Sequence, residues 1–427
     1  MYYRQFVTTI TLANAREDIF FDTMFNKRTA TWFGIGILGL AIHHLSPVIP
    51  LLGVGVSVPS IGSEGCVHIT GPSDYQFCED SARSTTEKGV TYSACDPIRD
   101  IMNPVMDFEV LHDLSEAKTG AIWRINYTSE NPQPEKLTVR GSPPVSLDFH
   151  PLGLAIDFNQ ENQKSLILTA NLPILGGLAG VEIFGLEENA EDGSKELVYI
   201  RSINNPLLNA PNNIHIIHDP RFRGSDGVPS FYISNDHYYT HDLMKVLENY
   251  LLLPVSTVFF YDARTDTLKP VIKDLIFANG VTGDETSLFV AETNRMVVRQ
   301  YEIRIKEDKD NEGSAPTISL QYVTKKSFPM AVDNLSYDSS IKEVIVAGHP
   351  KGLQFLQYTF SENKENMTVP PSLVMSWDVQ SGNVKKLFSD DGTVYGTSTT
   401  ALRDSESETL FISGLLNRGV LVCPLKE

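Results

Sequence analysis

Short apolar or alternating runs, separated by turn residues, make up most of the chain from about residue 63 onward. Examples are the runs at 121–127, 165–170, 181–184, 255–261 and 296–305. Strands this short and this frequent predict an all-β sandwich, barrel or propeller. The run at 353–358 is interpreted in the same way, as a strand. The one convincing helical pattern is at 242–252, which has an apolar face and is followed by Pro254.

One internal repeat favours a propeller among these three architectures. The segment from His150 to Leu154 has the sequence HPLGL, and it recurs from His349 to Leu353 as HPKGL. Each copy lies at a predicted turn that leads into a strand. Equivalent turns reused along a chain are typical of units repeated around an axis. A radial all-β fold can also accommodate 427 residues in one unit.

The N-terminal region has a different pattern. Residues 1–29 form a mixed, polar tail, whereas residues 30–58 are apolar apart from two histidines. The apolar stretch is long enough to span a bilayer, although Pro47 and Pro50 weaken it as one continuous helix. Basic residues precede it and no Lys or Arg follows until Arg83, so the positive-inside rule leaves the rest of the chain lumenal or extracellular. We expect an uncleaved signal-anchor in the secretory pathway; a cleaved signal peptide, giving a secreted protein, is the alternative.

Charge and cysteine usage narrow the range of partners and compartments. The formal net charge of −18 argues against a nucleic-acid surface, because phosphate binding needs clustered Lys and Arg. Four cysteines occur without a Cys-x-x-Cys pair, which disfavours zinc and thioredoxin-type sites. Three of them follow the apolar stretch and one lies almost at the C-terminus. This layout predicts a clasp between the two ends of a closed fold in an oxidising compartment.

Three Asn-x-Ser/Thr sequons are present. Asn126 and Asn366 are the predicted glycan sites, and Asn366 lies in a charged loop. The third, Asn334, belongs to a candidate metal cluster, so we expect it to carry no sugar.

Two strand ends carry side chains able to bind a metal. A short aromatic run (Phe231, Tyr232) ends in the sequence SNDH at 234–237, and a second strand end, 331–336, contains Asp333 and Asn334. Asn and Asp commonly end strands because they tolerate turn geometry, so a plain turn is the simplest interpretation of either segment. Two such ends aimed at one point would instead supply the carboxylate and amide oxygens that calcium prefers.

The ordered set of these segments resembles a known family. The chain carries FYISNDHYY at 231–239, FANGV at 277–281, VDNLS at 332–336 and GHPKGL at 348–353, with Glu-Asp at 79–80 between Cys66 and the terminal Cys423. Over residues 63–427 this order is similar to the paraoxonase (arylesterase/lactonase) family. The resemblance implies a six-bladed β-propeller closed by a disulfide between its ends, with an N-terminal hydrophobic helix, two calcium ions in the central tunnel, and hydrolysis of lactones and aryl esters.

The resemblance assigns roles to individual positions. The catalytic calcium would be held by Glu79, Asn212, Asn235, Asp333 and Asn334. The second calcium would be held by Asp80, the backbone carbonyl of Leu154, and Asn213, where the family has an Asp. Cys66 and Cys423 match the closing disulfide. Cys78 and Cys95 have no counterpart that we can place, and a disulfide between the two is one open alternative.

The chain departs from the family where the attacking water is activated. The family's two-histidine dyad falls at Leu152 and Leu172, and leucine cannot accept a proton. His150 is two residues away from the first of these positions. We therefore expect a base elsewhere: Asp333 is the hypothesis, with His349 near the same rim.

Two functions of different classes follow. The first is a calcium-dependent hydrolase of small-molecule aryl esters or lactones with an apolar acyl part, in which calcium polarises the substrate carbonyl and activates water. The second is a calcium-stabilised propeller that has lost turnover and serves as a membrane-tethered binding module. An acyl-enzyme route is disfavoured, because the chain has no Gly-x-Ser-x-Gly elbow.

Overall fold

The computed structural model describes residues 39, 43–46, 48–111, 113–114, 117–141, 148–307 and 316–425. The chain divides into two compact units, residues 1–47 and residues 48–427. The end of the predicted apolar segment, 48–58, therefore belongs to the same unit as the strands. Most of the segment at 30–47 lies outside the described residues. Among those that are described, no helix has the length and apolar character needed to cross a membrane.

The N-terminal part of the second unit supplies one short helix and the first two sheets. It begins with α1 (Val48–Leu52) and β1 (Val67–Ile69). The first four-stranded sheet contains β2 (Cys78–Arg83), β3 (Val90–Cys95), β6 (Ala121–Asn126) and β7 (Glu135–Lys136), with a separate hairpin of β4 (Met102–Asn103) and β5 (Phe108–Glu109) between them. The second sheet contains β8 (Thr138–Arg140), β9 (Pro151–Asn159), β10 (Lys164–Asn171), β11 (Gly180–Glu188) and β12 (Lys195–Asn204).

The remaining four sheets repeat the same meander. The third contains β13 (Pro211–Ile216), β14 (Phe231–Asn235), β15 (Ser256–Asp262) and β16 (Thr267–Leu275), with α2 (Asp242–Tyr250) after β14. The fourth contains β17 (Ala278–Gly283), β18 (Ser287–Glu292), β19 (Val297–Lys306) and β20 (Thr317–Ser327). The fifth contains β21 (Ala331–Asp338), β22 (Glu343–His349), β23 (Ser372–Asp378) and β24 (Val384–Asp390), with α3 (Gly352–Thr359) after β22. The sixth contains β25 (Ser398–Asp404), β26 (Thr409–Gly414), β27 (Val420–Pro424) and β1.

The six sheets are the blades of a propeller. The first strands of the blades, β2, β9, β13, β17, β21 and β25, contact one another in ring order and surround the central tunnel. Each blade packs on a neighbour through both faces, which explains the continuous apolar runs in the sequence. Between the second and third blades, for example, Leu168 and Ile183 belong to one buried cluster with Phe231 and Phe259. The predicted all-β six-bladed propeller is confirmed.

The ring is closed covalently and by hydrogen bonds. Strand β1 pairs antiparallel with β27, with Val67 opposite Val422, so the sixth blade contains both ends of the unit. Cys66 and Cys423 form a disulfide beside this pairing, which confirms the predicted clasp. A cross-link between ends this far apart typically stabilises a fold by about 2–4 kcal/mol. Cys78 and Cys95 form a second disulfide, between β2 and β3.

Two local predictions are wrong. The run at 353–358 is not a strand but part of α3, whose buried residues Phe355, Tyr358 and Thr359 recur at helical spacing. The repeated HPxGL segments are not equivalent turns either. The first copy leads into the inner strand β9, whereas the second begins at the end of β22 and continues into α3. In the second copy Gly352 is required because a Cβ there would lie 2.4 Å from the carbonyl oxygen of Leu51 in α1.

Candidate active site

All six inner strands are irregular at the same level of the tunnel. Each strand shifts register against the second strand of its blade. The shifts fall at Glu79, Leu152-Gly153, Asn212-Asn213, Asn279-Gly280, Asp333-Asn334 and Thr399. A β-bulge leaves residues unpaired with the neighbouring strand and re-aims their side chains. This is why adjacent residues such as Glu79 and Asp80 both reach the tunnel instead of pointing to opposite faces.

The bulges surround a cavity of about 430 Å³ at one end of the tunnel. Its polar lining includes Glu79, Asn212, Asn279, Asp333 and His349. Four buried side-chain oxygens at this level have no hydrogen-bond partner within the described part of the chain: Glu79 Oε2, Asn212 Oδ1, Asn279 Oδ1 and Asn334 Oδ1. Buried polar atoms are normally paired, and these four acceptors on four different strands are oxygens that could hold a cation.

The orientation of two of the amides is fixed by their other atom. Asn212 Nδ2 donates to Asp236 Oδ2 at 3.0 Å, and Asn334 Nδ2 donates to Glu79 Oε1 at 2.9 Å. When the two carboxylates are ionised they can only accept, so each amide keeps its nitrogen on its carboxylate and its oxygen toward the cavity. Their oxygens are therefore held there as acceptors.

Negative charge is concentrated at this level, and the buried Arg99 offsets only part of it. Burial raises the pKa of Glu79 well above its ordinary range, and the charges of Asp333 and Asp80 raise the same pKa further. Burial also raises the pKa of Asp80 to about 6. A bound divalent cation reverses this balance, since it favours the ionised carboxylates.

Of the residues predicted for the catalytic calcium, four are brought together and one is not. Asn235 is the exception: its Oδ1 accepts from the backbone N–H of Ala210 at 2.8 Å, and its Nδ2 donates to Asn209 Oδ1 at 2.9 Å. Its strand, β14, is the second strand of its blade and does not line the tunnel. Asn279, which sequence reasoning did not include, has its unpaired oxygen at the cavity instead.

The SNDH segment that carries Asn235 supports the site from behind. Asp236, which fixes Asn212, also accepts from His237 Nδ1 at 2.6 Å, and His237 Nε2 lies 3.1 Å from Asn249 Oδ1. Asp236 and His237 are each 1% exposed, so the network is buried. The segment therefore positions a neighbouring strand's amide and does not itself line the cavity.

A histidine–carboxylate pair lies at the edge of the oxygen cluster. His349 Nε2 is 2.9 Å from Asp333 Oδ2, and the ring stacks on Phe355 with 4.1 Å between centroids. Since the carboxylate accepts, the ring proton lies on Nε2. Nδ1 of the same ring is buried and has no partner among the described residues.

The family's dyad positions are apolar in this structure. Leu152 and Leu172 pack with Ala170 in a small buried cluster, and Leu152 lines the cavity. His150 lies elsewhere: its Nδ1 is 3.0 Å from Asp96 Oδ2, and its side chain is not part of the cavity lining.

The cavity walls above the polar floor are apolar. They include Leu51 and Leu52 of α1, Val246 of α2 and Phe355 of α3. Helix α2 buries polar residues and exposes apolar ones, the reverse of an ordinary surface helix. Lys245 and Glu248 are buried, whereas Leu243, Met244 and Tyr250 are exposed. Lys245 Nζ donates to the carbonyl of Pro104 at 2.7 Å, and Glu248 accepts from the backbone N–H of Tyr238 and Tyr239.

Asp80, Leu154 and Asn213, predicted for a second calcium, lie together in a different cavity of about 370 Å³. Asp80 Oδ2 accepts from Asn213 Nδ2 at 2.8 Å and from the Leu154 backbone N–H at 2.7 Å. Among the described residues no three His, Cys, Asp or Glu side chains form a metal cluster. The oxygen cluster at the cavity of about 430 Å³ contains only two carboxylates, those of Glu79 and Asp333, and amide side chains supply its other oxygens.

The fold and the site define a six-bladed propeller with a buried carboxylate–amide cluster beneath an apolar cavity. Residues 100–425 match the arylesterase family, and the chain belongs to this family. Human serum paraoxonase/lactonase 3 is 28% identical over 286 residues, which cover 66% of this chain and 72% of the relative. Bovine serum paraoxonase/arylesterase 2 is 27% identical over 319 residues, covering 74% and 79%. The resemblance to paraoxonases is thereby confirmed.

Among solved structures, a gluconolactonase from Xanthomonas campestris is similar, with 13% identity and a TM-score of 0.45. The match covers 87% of this chain and 99% of that chain.

Proposed function

We propose that the protein is a calcium-dependent hydrolase of esters or lactones with an apolar acyl part. The observation that carries the proposal is the set of unpaired, buried oxygens at the floor of an apolar cavity. Relatives named as arylesterases and lactonases support the reaction class. The cavity of about 430 Å³ falls in the range of small-molecule sites.

The residues present fit a calcium ion. Glu79, Asn212, Asn279, Asp333 and Asn334 supply an all-oxygen set of two carboxylates and three amides, the ligand chemistry that calcium prefers. Bound calcium would polarise the substrate carbonyl and lower the pKa of a water molecule. The protein's own contribution is to hold these oxygens in place from behind, through Asp236 on one side and the Glu79–Asn334 hydrogen bond on the other.

His349 is the proposed proton acceptor for the attacking water. Its Nδ1 carries a lone pair, faces no partner among the described residues, and belongs to a ring that lines the cavity. Asp333 holds the ring in the tautomer that leaves this lone pair available and stabilises the imidazolium that forms. We therefore propose His349 as the base in place of Asp333, which would orient it. Leu152 forms part of the apolar surface available to the acyl chain.

One observation favours the alternative function, a binding module without turnover. Both dyad positions are leucines in an apolar cluster, so no proton acceptor lies there. Such a protein would keep the cation and the cavity and bind the same ligands without hydrolysing them.

Hydrolysis of phenyl acetate and of a panel of γ- and δ-lactones by the full chain, with calcium and with chelator, tests the proposal. We expect calcium-dependent turnover that His349→Gln lowers by about 10²–10⁴ in kcat. His150→Gln is the matched control, because both histidines are 4% exposed and hydrogen-bonded to an Asp. Calcium binding with no turnover on any substrate would favour the binding module, and equal effects of the two variants would remove His349 from its role.

We further propose that the protein lies in the secretory pathway, anchored to a membrane by the apolar residues that precede α1, 30–47, or secreted. Two disulfides suit an oxidising compartment. Asn366 is exposed and Asn126 is half-buried, so both can accept a glycan, whereas Asn334 is 1% exposed. Loss of a mobility shift on glycosidase treatment in Asn366→Gln would locate the sugar, and alkaline extraction of membranes would separate the anchored from the secreted form.

A further inference from the structure

The second tunnel layer differs from the first in its hydrogen bonding. Every lone-pair direction of Asp80 is used: Oδ2 accepts from Asn213 Nδ2 and the Leu154 N–H, and Oδ1 accepts from Thr400 Oγ1 and the Ser81 N–H, both at 2.8 Å. A carboxylate has about four such sites. The layer that contains Glu79 has side-chain oxygens without a hydrogen-bond partner among the described residues, whereas in the layer that contains Asp80 the carboxylate accepts as many hydrogen bonds as it can.

Both polar side-chain atoms of Asn213 are also hydrogen-bonded. Its Nδ2 points at Asp80, and its Oδ1 accepts from the Val281 backbone N–H at 3.0 Å. The amide is therefore fixed with its donor, not its acceptor, toward the carboxylate. A cation at this position would meet an N–H group where it needs an oxygen.

The same hydrogen bonds hold the inner strands together across the tunnel, as a central ion would. Asp80 on β2 is tied to Leu154 on β9, Asn213 on β13 and Thr400 on β25, and Asn213 continues the chain of bonds to Val281 on β17. Five of the six inner strands are thus joined through one carboxylate–amide pair. The Cys78–Cys95 disulfide adds a covalent link between β2 and β3 next to Asp80.

We infer that the Asp80–Asn213 pair closes the second position to a cation, so that this chain binds a single divalent ion where its family resemblance implies two. The physical reason lies in one side chain. Two facing carboxylates repel and require a cation between them, whereas an amide donates a hydrogen bond to the carboxylate and needs none. The single ion expected at Glu79 rests on the proposed function. The absence of an ion between Asp80 and Asn213 does not depend on that function.

Calcium stoichiometry of the full chain, measured by native mass spectrometry and titration calorimetry, tests the inference. We expect one ion per chain in the wild type and one additional ion in Asn213→Asp, which restores the second carboxylate. Two ions in the wild type, or no gain in Asn213→Asp, would overturn the inference. No ion in the wild type but one in Asn213→Asp would overturn the proposed function and leave the closure standing.

Melting temperature gives a second readout that does not depend on activity. Chelator is expected to lower the melting temperature of Asn213→Asp by more than that of the wild type, because the unscreened carboxylate pair then destabilises the tunnel. Asn213→Asp is prepared in calcium so that it folds with the ion present. Equal shifts in the two proteins would contradict the inference.

Discussion

Replacing Asn279 by leucine separates a calcium ligand from an ordinary polar residue of the tunnel wall. Asn279 is 4% exposed, and its Oδ1 is unpaired within the described residues. An unsatisfied buried polar group costs about 1–3 kcal/mol. In chelator, Asn279→Leu is therefore expected to be more stable than the wild type by this order, because the cost is removed.

Calcium should change the comparison. At a calcium concentration about 1,000 times Kd, binding stabilises the folded state by about 4 kcal/mol. Loss of one direct ligand is taken to weaken binding by at least about 100-fold, since even outer-shell changes can weaken it by that much, which leaves about 1.4 kcal/mol. The calcium-induced stabilisation should thus shrink by about 2.7 kcal/mol. At roughly 2.1 cal/mol/K per residue, this corresponds to a change of about 3 °C in the calcium-induced shift of the melting temperature.

Differential scanning calorimetry of both proteins, each with calcium and with chelator, measures these quantities. Asn235→Leu is the matched control: its hydrogen bonds are complete without an ion, so it should be destabilised equally in both conditions. The reasoning fails if the calcium-induced shift is unchanged in Asn279→Leu, or if it shrinks in Asn235→Leu instead.

Three further perturbations have defined outcomes. Removing the Cys66–Cys423 disulfide by a double alanine substitution should lower the free energy of unfolding by about 2–4 kcal/mol in urea titration; no change would mean that β1 pairing alone closes the ring. Gly280→Ala should weaken calcium binding in calorimetry, because a Cβ there would lie 2.7 Å from a backbone Cα of β21; unchanged affinity would show that the bulge can adjust. Burial raises the pKa of Asp157, but hydrogen bonds from a neighbouring histidine and Arg223 outweigh burial and hold this pKa below its ordinary value. Asp157→Asn should therefore cost about 3–5 kcal/mol at pH 7, and this difference should diminish as the pH falls below about 3.9 toward the folded-state pKa; a difference independent of pH would contradict the ion-pair account.

The all-β class was predictable from sequence because strand length and spacing are local properties, and Cys66 and Cys423 mark the closure. The six blades came from the family resemblance, since the repeat that favoured a propeller does not form equivalent turns. The site was predictable only in part. Asp333 and Asn334 stand out as a polar doublet inside an apolar strand, but Asn279 is followed by glycine and its pair resembles an ordinary turn. Asn235 shows the converse error, since a polar strand end does not reveal whether its strand is the first or the second of a blade.

The helices show where periodicity alone is insufficient. Residues 353–358 form a short, mostly apolar run that resembles a strand, and burial against α1 selects the helical period. For α2 the helix was predicted correctly, but its buried face was not. Lys245 and Glu248 are buried because backbone groups of distant segments pair with them, and those partners cannot be identified from the helix's own sequence.

The six aligned bulges have a consequence for how this architecture can diversify. Because the irregularities at Glu79 and at Asn212-Asn213 each turn two successive side chains inward, the tunnel holds two tiers: Glu79 and Asn212 face one opening, and Asp80 and Asn213 face the other. The two tiers are coupled, because the pKa of Glu79, which burial raises, is raised further by the charge of Asp80, and Thr400 accepts from Asn334 while it donates to Asp80. A substitution that removes the lower carboxylate is therefore expected to change the protonation of the upper one as well, so that reactivity and rigidity evolve together in this architecture.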